Sequence, residues 1–205
     1  GQEHLSELLP NTPVLVVANH FSGYKLIPVS QEEVGANIPE VRELYIPPMF
    51  YASMFPIAEK TGRGLYDAHL ELPGVLRKLQ DESGVLALPE GEGVFEEAYR
   101  RTVEHDKKYP NSLTVIFPEG RSSGKYNNGG PYDLSEFSSG PFAMAAYEKI
   151  PILPVAQFFN SETGFELKIF KPFILDPHSE RSVFKDAAFN TKSEMQAWLD
   201  QRKTS

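Results

Sequence analysis

The sequence predicts an α/β domain with a largely parallel sheet, and three observations carry that prediction. Short apolar runs alternate along the chain with longer segments whose apolar residues recur at helical spacing. The first run, Pro13-Val14-Leu15-Val16-Val17, is continuously apolar, as a buried strand is. A chain of 205 residues is long enough for one sizeable core, and nothing in it demands a second domain over 1–205.

Taken in order, strands are expected over residues 14–18, 43–46, 84–88, 113–117, 152–157 and 166–170. Helices are expected over 72–81 and 95–105, where apolar residues at helical spacing face charges on the other side. The stretch 140–149, GPFAMAAYEK, reads as a buried helix, and 192–202 closes the chain as another. Residues 49–56, MFYASMFP, read as a core helix or as an apolar wall for an acyl chain or a bilayer, and exposure separates the two. The Gly- and Asn-rich run GKYNNGG at 124–130 is the strongest loop signal. The charged run 96–108 reads as a solvated helix face.

Composition narrows the function. A formal net charge of −8 argues against nucleic acid as a main partner, since phosphate binding wants a Lys/Arg surface. With no cysteine there is no disulfide framework, no thiolate nucleophile and no Cys-based metal site, which fits a reducing compartment. The longest nearly uninterrupted apolar stretch, IPILPVAQFF at 150–159, is too short to span a bilayer and holds two prolines. The opening, GQEHLSELL, has no charged-then-apolar leader pattern, and its first residue is Gly rather than Met.

Two stretches echo each other: GVLALPEGEG at 84–93 and TVIFPEGRSSG at 114–124 both read as strand, Pro-Glu-Gly, then turn. Ligands in open α/β sheets lie outside the carboxyl ends of strands, so the ends after Val17, Leu88 and Phe117 are expected to converge on one cleft. His20, just past the first strand, stands at one of these ends; a lone histidine there reads by default as structural, and a catalytic reading needs the other motifs beside it.

Three segments together resemble the glycerophospholipid acyltransferase family, the one that includes lysophosphatidic acid acyltransferases. They are VVANHFS at 16–22, VIFPEGRSS at 115–123 and IPILPVA at 150–156, in that family's order and spacing over roughly residues 10–160. The resemblance implies a single domain with a mixed, mostly parallel sheet and helices on both faces. It implies transfer of an acyl group from a thioester, acyl-CoA or acyl carrier protein as co-substrate, to a hydroxyl or amine of a lipid-like acceptor. No other cofactor and no metal is implied, and peripheral contact with the inner face of a membrane is. His20 would be the general base. Asn19, Ser22 and Lys25 from the first loop, with Glu119, Gly120, Arg121 and Ser122 from the second, would contact substrate, Arg121 by its guanidinium fork.

Two positions depart from the family pattern. Lys25 stands where the family has the aspartate of N-H-x-x-x-x-D, and Glu90 aligns with an arginine that contacts the acceptor's phosphate. At 4 Å two unit charges interact by about 4 kcal/mol at an effective dielectric of 20, so these reversals matter. Three accounts are open: Glu90 supplies the carboxylate to His20, with Lys25 as counter-charge and an unphosphorylated acceptor; the site is silent and binds lipid or acyl groups; or another carboxylate, such as Asp67, serves His20.

Other motifs carry less. Gly120-Arg121-Ser122-Ser123-Gly124 matches the G-x-S-x-G elbow of serine hydrolases, with Asp176 and His178 as later partners, but a loop signal follows where a helix is needed. Asp67-Ala68-His69 offers two metal ligands at best and reads by default as a hydrogen-bonded turn.

Overall fold

The structure is a computed structural model that describes residues 1–20, 46–70, 85–88, 93–120, 129–130, 132–160 and 164–203. Its centre is a six-stranded sheet of β1 (Val14–Ala18), β2 (Gly64–Leu70), β3 (Val85–Leu88), β4 (Ser112–Ile116), β5 (Ile152–Asn160) and β6 (Gly164–Ile169). The order across the sheet is β3-β2-β4-β1-β5-β6. Every pairing is parallel except β5 with β6, which is antiparallel and begins at Asn160↔Gly164. The α/β class and the mixed, mostly parallel sheet expected from the sequence are therefore present.

Four α-helices accompany it among the described residues: α1 (Ile46–Thr61), α2 (Val94–Lys108), α3 (Gly140–Glu148) and α4 (Arg181–Lys203). Strand β1 is buried along its whole length, and its side chains divide between two cores. Val14, Val16 and Ala18 pack with Met54, Ile57 and Ala58 of α1. Leu15 and Val17 pack with Phe142 and Ala145 of α3 and with Phe184, Met195 and Leu199 of α4. The period of two along the strand thus sends alternate residues to opposite layers, with helices on both faces.

Some elements differ from the sequence reading. Residues 43–45 lie outside the described residues, and Ile46 opens α1 instead of ending a strand. The 72–81 helix also lies outside them. Asp67 and His69, read as a turn, stand in β2, a strand whose polar residues hide its strand pattern. Helix α4 begins eleven residues before the expected start, and Phe184, Ala188, Thr191, Met195 and Leu199 are its buried stripe. On α2 the charged run behaves as a solvated face: Arg100 bridges Glu97 at 2.6 Å and Glu104 at 2.7 Å, one turn to either side. In α1, Met54 is fully buried and the adjacent Phe55 is 60% exposed, so the MFYASMFP stretch supplies both core and surface.

Candidate functional site

The site starts from the neighbouring parallel strands β1 and β4, paired through Val14↔Leu113 to Val17↔Ile116. After β1 the next described helix is α1, on one face of the sheet. After β4 it is α3, on the other. Adjacent strands whose following helices lie on opposite faces leave a crevice at their carboxyl ends, the usual ligand position in such sheets. His20 follows β1 and Glu119 follows β4, so both stand at that crevice.

Local chemistry shapes each side. Phe117-Pro118-Glu119-Gly120 is a tight turn in which Gly120 N–H donates to Phe117 O at 3.1 Å. Pro118 presets the turn's second position, and Gly120, at φ 68°, takes a left-handed conformation that side-chain-bearing residues resist. The turn holds Glu119 under cover. Its Oε1 accepts a hydrogen bond from the His20 main-chain N–H at 3.2 Å, and its Oε2 accepts one from Ser135 N–H at 2.8 Å. Two N–H donors suit an ionised carboxylate and satisfy a charge that is nine-tenths buried. A third link, Ser138 N–H to Pro118 O at 2.8 Å, ties the segment before α3 to the same turn.

On the other side of β1, Asn19 is fully buried against β5. Its Oδ1 accepts from Gln157 N–H at 2.7 Å and its Nδ2 donates to Gln157 O at 3.1 Å. The Gln157 side chain returns the bond, donating from Nε2 to Asn19 O at 3.1 Å. This reciprocal clasp fixes the chain one residue before His20. The His20 ring meets Phe117 edge-on, with centroids 4.5 Å apart, and His20 remains part-exposed. The His20 backbone is thus fixed by Glu119 and by the clasp on Asn19, its ring packs on Phe117, and the residue remains part-exposed.

Among the described residues, Asn19, His20, Glu119 and Gly120 come together. Ser22, Lys25, Glu90, Arg121 and Ser122 lie outside the described residues. Two expectations are corrected by the strand order and register. The end of β3 at Leu88 does not adjoin that of β1, because β2 and β4 stand between them, a separation of roughly 14 Å at the usual strand spacing. Asp67 is level with Val115 and hence with Val16, four residues short of His20 and two strands away. That is on the order of 15 Å, too far for Asp67 to serve His20.

Two contributors escaped the sequence reading. Gln157 was legible in principle, since a lone glutamine inside a buried apolar strand needs a polar partner. Ser135, which offers its main-chain N–H, had no signal, because any residue other than proline presents one. No group of three or more potential metal ligands occurs among the described residues. No described helix is long and apolar enough to cross a membrane. No family model and no curated protein matches the chain.

Proposed function

We propose that the protein is an acyltransferase of the glycerophospholipid acyltransferase type, moving an acyl group from a thioester to a hydroxyl or amine of a lipid-like acceptor. One observation carries this reading: the Glu119 carboxylate hydrogen-bonds the His20 main chain, so the described parts of the ANHFS and FPEG segments, residues 18–20 and 117–120, meet at one crevice. These are two of the three segments on which the resemblance rests.

In the proposed reaction His20 takes the proton from the acceptor as its oxygen or nitrogen attacks the thioester carbonyl. Collapse of the tetrahedral intermediate breaks the C–S bond, and the thiolate leaves with the proton that His20 returns. Glu119 and Asn19 act as positioning residues in this scheme, because each holds main-chain groups of the protein beside His20. Glu90 with Lys25 stays the proposed charge pair, on the condition that the chain beyond Leu88 reaches across the ends of β2 and β4 toward His20; an unphosphorylated acceptor would then be the better substrate. Contact with the cytoplasmic face of a membrane belongs to the same reading.

The test is product identification. Acyl-CoA and acyl carrier protein donors are incubated with phosphorylated and unphosphorylated alcohols and amines, and acylated products are sought by mass spectrometry. An acylated alcohol or amine is the expected result. Retention of acyl chains without any product from any donor would replace this reading with the silent homologue. Free fatty acid formed without acceptor and abolished by Ser122→Ala would replace it with a hydrolase.

A further inference from the structure

A second cluster of polar groups lies at the edge of the sheet opposite His20. Helices α2 and α3 run alongside each other in parallel. Gly140 faces the Phe95 ring near their N-terminal ends, and the Tyr99 and Tyr147 rings meet edge-on at 6.1 Å further along. At their C-terminal ends, next to the start of β4, the Asp106 and Glu148 carboxyl groups come within hydrogen-bonding reach.

Asp106 is 6% exposed, and its Oδ1 accepts from Ser112 Oγ at 2.7 Å and from His105 Nδ1 at 3.0 Å. Its Oδ2 is buried with no donor among the described residues, and so is Glu148 Oε1. Buried acceptors of this kind are rare and call for an explanation. Two ionised carboxylates have no hydrogen to share, and the carbonyl ends of both helices add further negative potential. A single proton resolves the conflict. Among the described residues, the other charged or titratable groups at the pair are Lys107 and His105, both on α2. Behind His105 lie the Tyr66 ring of β2, with centroids 4.1 Å apart, and the Tyr109 ring at 5.0 Å.

We propose that Asp106 and Glu148 share one proton and so form a latch between the C-terminal ends of α2 and α3. Burial first, then the Asp106 charge and the shared hydrogen bond, push the Glu148 carboxyl up to about 8, while Lys107 opposes the shift. A carboxyl raised from 4.5 to about 8 on folding binds more protons in the folded state between those values. Its contribution is therefore complete below pH 4.5 and declines as the pH climbs through about 8. This inference does not depend on the acyltransferase reading.

The test compares thermal midpoints of the wild type and Glu148→Gln from pH 5 to pH 9, together with the side-chain carboxyl ¹³C titration of Glu148 in the wild type. The amide of the variant donates to Asp106 at every pH, so the wild type should lose a few degrees relative to the variant across that range. The Glu148 resonance should titrate within about one unit of the expected value. Parallel midpoint curves, or a Glu148 midpoint below about 6, would overturn the latch. The carboxyl titration needs no variant to fold and decides the matter if Glu148→Gln does not.

Discussion

Glu119 joins three pieces of chain through one carboxylate: its own turn, the residue after β1 and the segment before α3. Replacing it with glutamine leaves one acceptor oxygen for two N–H groups and turns an amide donor toward one of them. Glu119→Gln should therefore lower stability by about 1–3 kcal/mol in urea titrations, with the midpoint shifting at constant slope. Asn19→Ala removes both bonds to the Gln157 main chain, so a loss of about 1–3 kcal/mol is expected in the same assay. Asn19 and Glu119 drew notice in the sequence as neighbours of a histidine and a Pro-Glu-Gly turn. Their actual duties were not legible there, because a side chain's partner across 138 residues of sequence separation is decided by register, not by local pattern.

Among the elements, β1 and β4 lead to the crevice and α3 backs it. Phe142 of α3 is fully buried against Leu15 and Val17, so Phe142→Ala should cost about 3–5 kcal/mol by calorimetry or urea. The exposed Phe189 of α4 makes a contrast: Phe189→Ser should stay within about 0.5 kcal/mol of the wild type. Strands β1 and β4 were legible because short runs of apolar and β-branched residues flanked by Asn, Pro and Gly favour a buried strand. Strand β2 was not, since Asp67 and His69 break the apolar pattern and only the two flanking parallel strands make its pairing favourable. The first eleven residues of α4 were missed although their apolar spacing is helical, because the stripe there is thin, with Phe184 and Ala188 its only buried apolar residues.

For the whole molecule, alternation of strands and helices announced the class, and the parallel sheet with helices on both faces follows from it. Strand order was not so readable. The echo between the two Pro-Glu-Gly stretches suggested one shared cleft, yet their strands, β3 and β4, are separated by β2. Sequence proximity to a like motif says nothing about neighbours in a sheet whose connections skip strands. The same order brings His20 and Glu119 together from 99 residues apart.

The most direct measurement is thiol release from an acyl thioester in the presence of an acylatable acceptor, with wild type, His20→Ala and Glu119→Gln compared. If His20 is the base, His20→Ala should lose at least about 100-fold in kcat, the usual contribution of general-base catalysis. Glu119→Gln should fall between the two, in kcat rather than KM, as a positioning residue does. Equal, acceptor-independent rates in all three proteins would contradict the assignment of His20 and leave the crevice as a binding site without turnover.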